Sequence, residues 1–145
     1  MSAAFAFLHH LAAFTLVAAI VVEFVLIRDE LTTRTAWRLA AADMVVGLSA
    51  MTLLAVGLAR VFYLEPKGAA FYWHNVSFLA KFGVFIVVAL LSIYPTIKFI
   101  SWRKGAAPDA ASVRRVRQLL HFELVGVVLI LLFAALMARG IGYYL

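Results

Sequence analysis

The run from Phe5 to Ile27, FAFLHHLAAFTLVAAIVVEFVLI, decides the fold. About 20 apolar residues cross the hydrocarbon of a bilayer, and this run is long enough to do so. It nevertheless carries His9 and His10 near one end and Glu23 near the other. Ionisable groups at membrane depth are costly and turn toward the bundle interior or a water-filled cavity. At about 100° and 1.5 Å per residue, His9 and Glu23 fall within roughly 40° of one helix face, about 21 Å apart. One stripe of the first span therefore presents a polar group in each leaflet, and the remaining spans must be arranged around it.

Three more apolar runs follow. The expected spans are 5–27, 44–63, 76–100 and 119–137, which gives an all-α integral membrane fold, a bundle of four transmembrane helices in one domain. Composition agrees. The chain has 145 residues, of which 66% are hydrophobic and only 14% charged, and a mean hydropathy of +1.04. Soluble domains carry about 25% charged residues. The first run lacks a basic leader and exceeds the usual 7–15-residue core of a signal peptide, so it is expected to remain as a span. With no cysteine, disulfides, c-type haem attachment and cysteine-held iron–sulfur clusters are excluded.

The net charge of +6 does not point to nucleic acid, because the basic residues flank the apolar runs, where they meet lipid head groups. Arg28, Arg34 and Arg38 lie in the first connection. Arg103, Lys104, Arg114, Arg115 and Arg117 lie in the third, just after Lys98. The second connection has only Lys67. The positive-inside rule then places the first and third connections in the cytoplasm and both termini outside.

Several breaks are expected between spans. Asp29, Thr32 or Thr33 caps the second helix, which restarts near Thr35; Asp109 or Ser112 caps the last. Pro66 and Gly68 interrupt the second connection. Pro95 is expected to kink or end the third span. Phe71, Tyr72 and Trp73, and Tyr143 with Tyr144 near the end of the chain, suit an interfacial aromatic belt. Gly47, Ala50 and Gly57 give the second span a small-residue face, a candidate for homodimerisation.

Topology sorts the polar residues into two leaflets. The outer set is His9, His10, Arg60, His74 and Lys81. Imidazole in a membrane bundle invites haem b, whose propionates need basic partners. In that reading His10 or His9 holds iron, His74 is the candidate second axial ligand, and Arg60 and Lys81 take the propionates. Because adjacent histidines diverge by about 100°, only one of His9 and His10 faces the centre. Plainer alternatives are an interfacial His74 and a Lys81 that snorkels to the surface. Copper or zinc on His9, His10 and His74 is a weaker alternative, since no HxxxH or HExxH spacing supports it. The inner set is Glu23, Asp43, Tyr94, His121 and Glu123. A Glu23–His121 pair would form a proton relay or a polar clasp. Because His121 and Glu123 diverge by about 200°, only one points inward, and Asp43 and Glu123 are expected near head groups.

The segments LHHLAAFTLVAAIVVEFVLIR, GLARVFYLEPKGAAFYWHN and FLAKFGVFIVVALLSIYPTIKFISWRK together resemble a bacterial inner-membrane family labelled domain of unknown function 2214, over nearly the whole chain. More distantly the chain resembles the J-type protoporphyrinogen oxidase and copper-resistance D-type membrane proteins. That resemblance implies a porphyrin linked to a first-helix histidine, with His10, Arg60 and Lys81 at the similar positions. The methionine that the J-type pattern has one turn later is Phe14 here.

The function expected is therefore a small membrane protein that binds haem b or a porphyrin in an electron-transfer or oxidoreductase role, with a redox partner or a quinone. The alternative is a non-enzymatic accessory subunit or a small proton-coupled transporter.

Overall fold

The architecture is that of a computed structural model, and residues 3–64 and 68–142 are described. Five helices form: α1 (Ala3–Leu26), α2 (Thr33–Ala59), α3 (Gly68–Trp73), α4 (Val76–Arg103) and α5 (Ala110–Ala138). A single wide π turn, Arg60–Leu64, prolongs α2. The helices that carry the four apolar runs are each long and apolar enough to cross a membrane, and no strand occurs among the described residues. The expected spans 44–63, 76–100 and 119–137 sit inside longer helices, whereas α1 stops at Leu26, one residue before the expected end at Ile27.

The caps explain where the helices start. The Thr32 hydroxyl accepts from the Thr35 amide at 3.3 Å, and Asp109 Oδ2 accepts from the Ser112 amide at 3.1 Å. Asn75 Oδ1 accepts from the Phe78 amide at 3.1 Å, so Asn75 caps α4. Each bond satisfies one of the amides that a helix start leaves without an intrahelical acceptor. Gly105, at φ +106°, makes the turn between α4 and α5, a conformation that costs glycine little.

Pro95 neither ends α4 nor breaks it; the helix runs on for eight residues, to Arg103. The proline ring is buried in the bundle. Neighbouring helices and local side-chain bonding tolerate a lost backbone bond inside a membrane. Pro66, Lys67, Tyr143 and Tyr144 lie outside the described residues. Of the expected aromatic belt, Trp73 is exposed, but Tyr72 turns inward and is buried.

The four long helices close a ring. α1 packs on α2 and α5, and α4 packs on the same two, so α1 and α4 sit on opposite corners. One end of the bundle carries both chain termini; the other carries the α1–α2 and α4–α5 connections. At Gly126 α5 packs tightly on α4, because a Cβ there would collide with the Val88 side chain. At the termini end, the Val76 amide donates to the Gly142 carbonyl at 2.8 Å and Ser77 Oγ donates to the Ile141 carbonyl at 2.7 Å. These two bonds fasten the turn after α5 to the start of α4.

The interior is layered along the bundle axis. At the connection end, Ile27, Leu39, Phe99, Trp102, Val116 and Leu120 form an apolar plug. Nearer the termini, Leu16, Ala19, Ile20, Val46 and Val127 form a second apolar layer. Val61, Tyr72 and Phe78 close the termini end. Polar side chains occupy the two gaps between these layers.

Candidate functional site

The gap nearer the termini is a cavity of about 180 Å³. Its floor is the Leu16–Val127 layer and its roof is Tyr72 with Phe78. Three basic side chains line it: His9 from α1, Arg60 from the start of the π turn and Lys81 from α4. Most of the remaining wall is aliphatic or aromatic, with Leu53, Phe82, Phe85 and Ile130 among its members. No Asp or Glu occurs among the described lining residues.

Helix phase delivers His9. It falls in register with Ala12, Leu16, Ala19 and Glu23, the buried face of α1. Its Nδ1 is buried and has no hydrogen-bond partner among the described residues. Lys81 Nζ lies 5.4 Å from the centroid of the Phe78 ring, a cation–π contact that partly offsets desolvation. Arg60 sits where the α-helix widens into the π turn; such turns often mark functional sites.

His10 and His74 lie elsewhere. Both are exposed, and neither borders the cavity. His10 Nδ1 bonds the Ala6 carbonyl at 2.7 Å and His74 Nδ1 bonds the Ala70 carbonyl at 2.8 Å. The structure thus gathers His9, Arg60 and Lys81, and it leaves His10 and His74 outside. No three His, Cys, Asp or Glu side chains come together as metal ligands among the described residues.

For haem b, this donor set provides one axial imidazole and two cations for propionates. The volume is below the roughly 300–1,000 Å³ of drug-sized ligand pockets, so a porphyrin ring would require the helices to part.

The second polar gap lies between the Leu16–Val127 layer and the plug. It contains three carboxyls, Glu23 of α1, Asp43 of α2 and Glu123 of α5. Glu23 and Glu123 are each only 1% exposed. Thr96 of α4 donates to Asp43 Oδ1 at 3.0 Å, and the Glu23 and Asp43 carboxyls lie close enough to interact. Oε1 of Glu23 and Oε1 of Glu123 are buried and have no hydrogen-bond partner among the described residues.

This corrects the expectation that Asp43 and Glu123 lie near head groups. Of the diverging pair on α5, Glu123 points inward and His121 is exposed, its ring 6.4 Å from Phe24. Glu23 meets Asp43, and it is not brought to His121. The signal that finds Glu123 is its register: Val116, Leu120, Glu123 and Val127 are buried at successive spacings of four, three and four.

A family model described as "Predicted membrane protein (DUF2214)" matches residues 1–142. No curated protein and no solved structure matches the chain.

Proposed function

Since the chain belongs to the DUF2214 family of membrane proteins, we propose that it acts within the bilayer by binding an amphipathic acid in the cavity lined by His9, Arg60 and Lys81. The observation that carries this reading is the cavity's chemistry: three basic groups beside an apolar chamber, with a buried His9 nitrogen that has no hydrogen-bond partner among the described residues. Basic groups in a low-dielectric chamber favour an anionic oxygen, and the apolar wall favours a hydrocarbon body. By the charge of its connections, the cavity end faces outward and the plug faces the cytoplasm, so the ligand enters from the outer leaflet.

A propionate-bearing porphyrin is one member of this ligand class, and His9 specifically favours it. His9 would be its axial imidazole and Arg60 and Lys81 its propionate partners; bound as haem b, the group would supply electron transfer.

The test is calorimetric titration of the purified chain in micelles with a long-chain fatty acid and with its methyl ester. A charge-assisted hydrogen bond contributes about 1.5–3 kcal/mol, equivalent to roughly 10–150-fold in affinity. The acid should outbind the ester by that factor, and Lys81→Met should erase most of the preference. Equal binding of acid and ester refutes the reading. Haemin separates the porphyrin case: its Soret shift should survive in His10→Ala and His74→Ala and disappear in His9→Ala. No shift with the wild-type chain removes the porphyrin and leaves the acid.

A further inference from the structure

The carboxyl group of three lies below the cavity floor and takes no part in the cavity's chemistry. Glu123 is one helical turn below Val127, a floor residue, and Glu23 is one turn below Ala19, so the carboxyls stand about 6 Å below the cavity floor along the axis. The gap is closed toward the cavity by five aliphatic side chains and toward the connections by a plug containing Phe99 and Trp102.

Three facts define what the gap can hold. Two carboxyls that meet in a buried gap can hydrogen-bond each other only with a proton between their oxygens, since an ionised carboxylate only accepts. The oxygens of Glu23 and Glu123 that lack partners are fully buried, and a buried acceptor without a donor is costly. The three acids are also not arranged as metal ligands. A proton is the one cation that needs no coordination sphere.

The surrounding charges do not replace it. Just after α1, Arg28 stacks over Phe24 at 4.5 Å; on α4, Lys98 lies over Tyr94 at 5.4 Å; on α5, Arg115 lies over Tyr94 at 5.5 Å. Arg38 of α2 and His121 of α5 are exposed.

We propose that Glu23, Asp43 and Glu123, with the Thr96 hydroxyl, form a buried proton-binding site in series with the ligand cavity. The proton bridges Glu23 and Asp43, and Glu123 provides an adjacent acceptor. The apolar layers on both sides make its exchange with water slow.

Infrared spectroscopy of the full chain in lipid nanodiscs at neutral pH tests this directly. A carbonyl band of neutral carboxylic acid should be present, although free Asp and Glu titrate near 4 and are ionised there. The band should shift only slowly after transfer to D₂O and should be weakened by Glu23→Gln and by Asp43→Asn. Dicyclohexylcarbodiimide, an apolar reagent that needs the acid proton, should label one of the three acids in the wild-type chain, which avoids any question of variant folding. Absence of both the band and the label overturns the proposal. So does a band that persists unchanged in well-folded Glu23→Gln and Asp43→Asn proteins.

Discussion

Gly126→Ala tests whether close packing of α4 on α5 holds the ring together. In a helix interior, replacing Gly by Ala stabilises by about 1 kcal/mol through propensity alone. Here the new Cβ meets Val88 on the facing helix, and it lies 3.7 Å from Val84 Cγ1. Val88 cannot swing aside cheaply, because a β-branched side chain in a helix holds essentially one χ1 rotamer. Overpacking costs about 1–3 kcal/mol, so the net effect should be about 0–2 kcal/mol of destabilisation. Val88→Ala removes the obstruction and by itself sacrifices two methyl groups at a partly buried site. In the double variant the clash is gone and the propensity gain is free to appear. Reversible SDS-induced unfolding in mixed micelles, followed by circular dichroism, gives all four corners of the cycle. The coupling between the two sites should be about 1–3 kcal/mol in the favourable direction. If Gly126→Ala stabilises by the full ~1 kcal/mol and the two changes add within ~0.5 kcal/mol, the close approach does not exist and the reasoning fails.

The α5 cap and the terminal fastening each yield one further expectation. Hydrogen bonds from Ser112 hold the Asp109 carboxyl below the usual carboxylate range, so its contribution is complete above the unfolded value of about 3.9 and is lost as pH falls through the lower folded value. The exchange protection factors at Ser112 and Val113, corrected for the intrinsic rate at each pH, should therefore fall on acidification in the wild-type chain, and in Asp109→Ala they should be low at neutral pH as well. Gly142 has φ +95°, and a Cβ there would lie 2.6 Å from Ser77 Oγ; Gly142→Ala should release the turn from α4 and speed tryptic cleavage after Arg139. An unchanged cleavage rate would mean that the two bonds to α4 do not restrain the chain end.

The spans were legible because hydropathy needs no knowledge of direction: a run such as Val76–Ile100 is too apolar for anything but lipid or a core. Thr32 and Asp109 were legible as caps because their side chains act within three residues. Inward faces were less legible. On a membrane helix the lipid-facing residues are as apolar as the buried ones, so the choices between His9 and His10 and between His121 and Glu123 find little help in the pattern. Register with the most buried positions resolves both, but those positions are known only once the helices are packed. Asn75 is an equally local cap, but the aromatic run before it carries the signal of an interface and not that of a helix start. The layer of acids was hidden for another reason. Its members lie on three helices, and nothing in a linear chain places Asp43 and Glu123 beside Glu23.

That distribution has a consequence for biogenesis. Glu23 and Asp43 belong to α1 and α2, which are made before α4 and α5, so that hairpin enters lipid with two acids that can share a proton. Glu123 arrives only with α5. An acid at the centre of an isolated span costs on the order of 2.5–3.5 kcal/mol on insertion, which makes α5 the helix that most needs its predecessors waiting for it.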